Sequence, residues 1–139
     1  MTTGTIEMKD MRYMNLFEKI TRVSTRYCFE YNEIIFFLVP KAMLRNSLGK
    51  DNVNIKRLNE ILRRRIRIIP LPTGLSHVRE FIQAIVNPVE FKDVEVKDDE
   101  IILTAGGMSK AALLGRNKRR FLEMQKIIKN FFGKEFRIA

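Results

Sequence analysis

With 139 residues and 45% hydrophobic side chains, the chain is long enough for one ordinary domain or two small ones and apolar enough to pack a core, which argues against wholesale disorder. Its 26 Lys and Arg against 16 Asp and Glu leave a net charge of +10. That excess suggests a polyanionic partner, with nucleic acid favoured over a membrane because no basic amphipathic anchor stands out.

The longest apolar run, Ile34–Val39, is far too short to span a bilayer, and residues 1–10 contain no secretory h-region. A single cysteine, Cys28, excludes an internal disulfide and a cysteine-based metal site. A cytoplasmic protein is the plain reading. Charge is unevenly spread: residues 1–72 hold 14 basic and 7 acidic side chains (+7), residues 73–139 hold 12 and 9 (+3), so the first half should dominate the field.

Residues 1–7 are polar and Thr-rich and read as a loose terminus. A helix is expected over 9–22, with Tyr13, Leu16, Phe17 and Ile20 on one face. Strands follow at 26–30 and 33–39, joined at Tyr31-Asn32; the second is nearly all apolar, as burial on both faces requires. Pro40 stops it and suits the first turn of a helix over 41–48. Beyond Gly49, a helix over 53–63 is expected to bury Ile55, Leu58, Ile61 and Leu62, and 65–69 alternates as a strand.

Pro70-Leu71-Pro72-Thr73-Gly74 interrupts any regular element and reads as a linker, with the domains at 8–70 and 75–139 on either side of 71–74. The same order then returns. Ser76 can N-cap a helix to residue 86 with Val78, Phe81, Ile82, Ile85 and Val86 inward. Strands at 90–97 and 100–105 flank an Asp98-Asp99 turn, Gly106-Gly107 leads a short helix to 114, and a helix over 119–131 presents Phe121, Met124, Ile128 and Phe131. Gly133 is a natural C-cap before a last strand at 134–138. The order α–β–β–α–turn–α–β thus occurs twice, each unit near the size at which a single core is marginal.

The two turns are Leu48-Gly49-Lys50-Asp51-Asn52-Val53-Asn54-Ile55 and Leu114-Gly115-Arg116-Asn117-Lys118-Arg119-Arg120-Phe121, whose glycines stand 66 residues apart. In each, a glycine and a basic residue precede a helix start, where backbone N–H groups can hold a phosphate. Both resemble the Ile-Gly-x-x-Gly-x-x-Ile signature of the K-homology (KH) family, and the element order resembles a tandem pair of its prokaryotic (type II) domains. Two such units with little else are similar to the short, archaeal NusA-like transcription factors, over roughly residues 8–138.

The resemblance implies an α/β (α+β) fold in which each unit is a three-stranded mixed sheet covered by helices. It also implies that the turn clamps a sugar-phosphate backbone while unpaired bases lie in an adjoining apolar groove. Carried onto this chain, Gly49, Lys50 and Asn52, then Gly115, Arg116 and Lys118, would be the clamps, supplemented by Lys56, Arg63, Arg64, Asn117, Arg119 and Arg120. Leu48, Val53, Ile55, Leu114 and Phe121 would line or support the grooves. A Cβ at the clamp glycine would hold a phosphate away.

Both copies lack the family's second glycine, which is Asn52 or Lys118 here. Asparagine tolerates a left-handed backbone, so the first turn is expected to keep its shape; lysine does so less readily, which leaves the second turn's geometry open. Asp51 should weaken phosphate contact unless Lys50 or Lys56 offsets it. Arg116, Lys118, Arg119 and Arg120 crowd a helix start, where cations are intrinsically unfavourable, so an anion is expected there. Arg63, Arg64, Arg65 and Arg67 either extend an RNA track or form a solvated helix end.

Nothing assembles a nucleophile, base and orienter. His77 is alone, Asp98-Asp99-Glu100 reads as a hairpin turn, Phe36 and Phe37 as core, and no P-loop or Cys/His cluster is present. The expectation is a monomeric, non-catalytic protein without metal or cofactor. It would bind single-stranded nascent RNA in transcription elongation, termination or antitermination, with RNA polymerase a candidate partner. The alternatives are an RNA-processing or ribosome-associated KH protein, and a protein-interaction module built on degenerate KH units.

Overall fold

The computed structural model describes residues 8–25 and 27–139, and the chain divides into two compact units between Leu71 and Pro72. Residues 1–7, read from sequence as a loose terminus, and Arg26, the expected start of the first strand, lie outside the described residues. Each unit contains three α-helices and a three-stranded mixed sheet. No helix among the described residues is long and apolar enough to cross a membrane.

In the first unit, α1 (Met8–Thr21) places Tyr13, Leu16, Phe17 and Ile20 on one side, and Phe17 is fully buried with its ring stacked 4.6 Å from that of Phe37. The helix closes on a left-handed Arg22, whose amide donates to the Glu18 carbonyl at 2.8 Å, and the buried Thr21 hydroxyl donates back to the Phe17 carbonyl at 2.8 Å. Strand β1 (Tyr27–Tyr31) pairs antiparallel with β2 (Ile34–Val39), Tyr31 opposite Ile34. The two-residue turn is therefore Asn32-Glu33, one residue later than the sequence suggested. Both its residues have positive φ (52° and 63°), as the right-handed twist of a tight hairpin demands.

Every residue of β2 is buried, which fits its place at the centre of the sheet. Ile35, Phe37 and Val39 face the helices in one cluster with Phe17, Leu58, Ile66 and Ile68. Phe36, on the alternate face, stacks on Phe29 with centroids 5.1 Å apart and lies 5.7 Å from the Arg67 guanidinium. Residues 41–48 are a 3-10 turn (Lys41–Met43) followed by α2 (Leu44–Leu48) rather than one helix, because Met43 leaves the helical region. After the Gly49 turn, α3 (Val53–Leu62) leads to β3 (Arg65–Pro70), parallel to β2. Ile55, Leu58 and Leu62 pack in or against the core as expected, but Ile61 is 57% exposed, because it lies at the margin of the face that carries those three. Pro70 pairs opposite Val39 and the Leu71 amide donates to the Val39 carbonyl at 2.8 Å, so the ladder runs into the segment read as linker.

The second unit repeats this plan. Its first helix, α4 (Val78–Val86), buries Val78, Phe81, Ile82, Ile85 and Val86. Ser76 is not the N-cap: a 3-10 turn (Leu75–His77) begins after Gly74, and the Ser76 hydroxyl lies 3.2 Å from His77 Nδ1, which Thr73 also approaches at 2.8 Å. Strand β4 (Asp93–Val96) is shorter than the expected 90–97. It pairs with β5 (Glu100–Thr104), whose last residue lies opposite Asp93, and Phe91 turns inward beneath Arg79 instead. Helix α5 (Gly107–Leu114), the Gly115 turn and α6 (Arg119–Phe132) then lead to β6 (Glu135–Ile138), parallel to β5.

Register makes the repeat quantitative. Ile34 of β2 and Glu100 of β5 are 66 residues apart, but their partners Arg65 and Glu135 are 70 apart. The difference is the length of the helix between them, 10 residues in α3 and 14 in α6. Four residues are close to one helical turn, so the insertion keeps the same face toward the sheet. Both helices end on a left-handed residue, Arg63 or Gly133, whose amide donates to the carbonyl four residues back.

Phe37 is buried in the centre of the first unit's core, so Phe37→Ala should cost about 3–5 kcal/mol. In a unit this small that is much of the available stability. Urea unfolding should lose its first-unit transition or shift it sharply; an unchanged midpoint would refute this packing.

Candidate nucleic-acid interface

The two helix–turn–helix connections have nearly the same backbone. Gly49 has φ 75° and ψ 173°, and Gly115 has φ 75° and ψ 174°. Asp51 (55°, 32°) and Asn52 (57°, 31°) are both left-handed, as are Asn117 (56°, 30°) and Lys118 (59°, 24°). The Gly49 and Gly115 amides close the preceding helix on Arg45 and Ala111, and each glycine carbonyl accepts from the residue three further on, at 3.2 Å in both copies. Lys118 therefore takes the left-handed conformation, and the second turn does not diverge from the first. Tertiary context has overridden the residue's own preference.

The glycines are required by conformation and by space. Their φ and ψ lie where essentially only glycine goes. A Cβ on Gly49 would come 2.9 Å from Val53 Cγ1 and 3.0 Å from Asn54 Nδ2. On Gly115 it would meet Arg120 Cγ at 2.6 Å and the Arg120 amide nitrogen at 2.9 Å. The residue beneath each glycine differs in kind. Asn54 is 9% exposed and donates to the Ser47 carbonyl at 2.9 Å, tying α2 to α3. Arg120, its counterpart, folds inward and pairs with Glu123 at 2.9 Å, with 13% of its side chain exposed.

The polar side chains expected at the interface divide into exposed and engaged groups. Lys50, Asn52, Lys56 and Arg63 are exposed, as are Arg116, Asn117, Lys118 and Arg119. Arg64 is not available: it pairs with Glu30 and donates to the Glu33 carbonyl at 3.2 Å, pinning the end of α3 to the β1–β2 hairpin. Arg120 is likewise held in the turn's own packing. In the first turn Lys50 and Asp51 offset one another, whereas the second carries Arg116, Lys118 and Arg119 with no carboxylate among residues 115–120. The starts of α3 and α6 add the positive end of a helix at each place.

Beside the first turn runs an open groove of about 410 Å³, lined by Ile34, Ile55, Lys56, Asn59, Glu60, Arg65, Ile66 and Arg67. Ile55 and Lys56 were identifiable from the motif, and Arg65 and Arg67 from the basic run. Ile34, Ile66, Asn59 and Glu60 were missed: i, i+3, i+4 spacing from Ile55 and Lys56 places the latter two on the same helix face, but only the parallel pairing of β2 with β3, Ile34 opposite Arg65, brings the strands beneath them. Of the other groove residues, Leu48 and Ile55 also pack on the core cluster, and Val53 is 44% exposed. Leu114 is half-buried, and Phe121 lies 5.9 Å from the Phe136 ring. Among the described residues no group of His, Cys, Asp or Glu side chains is arranged to hold a metal ion.

Two substitutions test the turn. Gly115→Ala should destabilise the second unit by about 1–3 kcal/mol in urea unfolding, since both backbone and contact oppose it; a neutral result would contradict the described geometry. Lys118→Gly should do the reverse, adding about 1 kcal/mol by removing a left-handed side-chain residue.

No family model matches the chain, and no curated protein matches it in sequence. Among solved structures, the crystal structure of APE1850 shares the fold at a TM-score of 0.68, with 20% sequence identity, over 96% of this chain and 100% of that one.

Proposed function

We propose that the chain is a non-catalytic protein that binds single-stranded RNA through two KH units of the prokaryotic type. The supporting observation is that one glycine turn with two left-handed residues occurs twice at the same place in two equivalent αββααβ units, with Lys50 exposed on the first copy and Arg116, Lys118 and Arg119 exposed on the second. In this reading each turn lets the ribose-phosphate backbone approach closely at the glycine. The helix start and Lys50, or Arg116, Lys118 and Arg119, supply the positive field. The groove beside the first turn, with Ile34, Ile55 and Ile66 in its lining, accommodates unstacked bases.

A NusA-like role on nascent transcripts, with RNA polymerase as protein partner, is the biological setting we propose. It rests on the tandem of short units and the resemblance of their signatures. The rival reading, a protein-interaction module built on degenerate KH units, draws its support from the missing second glycines. The turn geometry, kept at Asn52 and Lys118 alike, favours RNA binding over that view.

The double variant Arg116→Ala, Lys118→Gly removes two cations from the second turn and leaves its backbone conformation accessible. It should weaken binding of a single-stranded RNA octamer at low salt. The slope of log affinity against log salt should become shallower by about 1.4, or about 0.7 for each phosphate that is no longer neutralised. Unchanged affinity and slope would remove this turn from the interface.

A further inference from the structure

RNA binding through the repeated turn treats the two units alike, but the residues that line the first unit's groove have chemically different counterparts in the second. In the first, Ile34, Ile55 and Ile66 provide an apolar lining, Lys56, Arg65 and Arg67 provide donors, and Glu60 is the one carboxylate among the lining residues. The Asn59 amide nitrogen is already committed to the Arg64 carbonyl at 2.8 Å. Glu60 is exposed and has no hydrogen-bond or ion-pair partner among the described residues.

Register gives the corresponding positions of the second unit. On the strands, Ile34 becomes Glu100, Arg65 becomes Glu135 and Arg67 becomes Arg137. On the helix, counted from the turn glycine, Lys56 becomes Leu122 and Glu60 becomes Lys126. The donors Lys56 and Arg65 are thus replaced by an apolar and an acidic residue, and the carboxylate by a cation. Glu100 engages Arg137 at 3.3 Å and Glu135 engages Lys129 at 3.0 Å, so this surface satisfies its own charges. Its two added carboxylates would repel a phosphate chain.

Resting on the RNA-binding function proposed above, we infer that the first groove takes an unpaired base carrying an exocyclic amine, cytosine, adenine or guanine rather than uracil. Glu60 accepts from that amine, and the second groove takes no base. An ionised carboxylate only accepts hydrogen bonds. The amines of cytosine, adenine and guanine donate to it, while the unprotonated ring nitrogen beside each amine (N3 of cytosine, N1 of adenine, N3 of guanine) accepts from Arg65 or Lys56. Uracil has no amine, and its single N3–H lies between two carbonyl oxygens that the carboxylate repels. The second unit then contributes through its turn alone, holding phosphates without regard to the base.

The test is equilibrium binding of octamers of cytidylate and of uridylate RNA to the full chain at one low salt concentration. The matched exposed-site variants Glu60→Gln and Lys126→Gln would be measured beside the unaltered protein. The unaltered protein should prefer the cytidylate strand by about five- to tenfold, the discrimination of one well-placed carboxylate–amine contact. An amide both donates and accepts, so Glu60→Gln should narrow that preference to within about twofold. Lys126→Gln should weaken both strands alike and keep the preference. Equal binding of the two strands by the unaltered protein, or an equal loss of preference in both variants, would overturn the inference and leave RNA binding standing. If neither strand binds, RNA binding itself fails and the inference with it.

Discussion

The architecture depends on a reversal of the chain that has no room for a side chain. Each unit must leave its central strand, build two helices on one face of the sheet and return in parallel beside the strand it left. The helices can pack as a pair only if the backbone turns back between them within four residues. Glycine at φ 75°, with two left-handed residues shortly after it, makes that turn, and a Cβ at either glycine would strike the next helix. The requirement that closes the fold also leaves a glycine and a helix start at the surface of each unit, with a cationic loop in the second. Fold and candidate site share one constraint.

The units answer that constraint with different chemistry. The first supports its glycine with the neutral Asn54–Ser47 hydrogen bond and places Asp51 on the turn, while its groove carries Lys56, Arg65 and Arg67. The second supports its glycine with the inward-folded Arg120–Glu123 pair, keeps three exposed cations on the turn, and lines the corresponding groove positions with Glu100 and Glu135. Positive charge has moved from groove to turn between the copies. The extra turn of α6 changes neither the facing of the helix nor the cap that ends it.

Much of this was legible in the sequence because it rests on local patterns. The repeated Leu-Gly steps, the uniformly apolar Ile34–Val39 strand and the 3.6-residue spacing in α1, α4 and α6 each determine an element nearly alone. Where reading failed, a longer-range contact decided. Ser76 has the chemistry of a cap but lies against His77 inside a 3-10 turn. Residues 90–92 have strand composition, yet β5 ends opposite Asp93 and Phe91 goes into the core. Lys118 is a poor left-handed residue by itself, yet it takes that conformation in the turn between α5 and α6, its amide donating to the Gly115 carbonyl at 3.2 Å. The groove was the least legible part: Ile34, Asn59, Glu60 and Arg65 are brought together by strand register, which no local window contains.

The central claim is that the repeated turn holds the backbone of single-stranded RNA. It is tested most directly by measuring affinity of the unaltered chain for a short RNA strand across a salt series, with a DNA strand of the same sequence beside it. Two working turns neutralising ~4–6 phosphates predict a log–log slope of roughly −3 to −4, with RNA bound more tightly than DNA. No binding at the lowest salt, or an affinity indifferent to salt, would contradict the account.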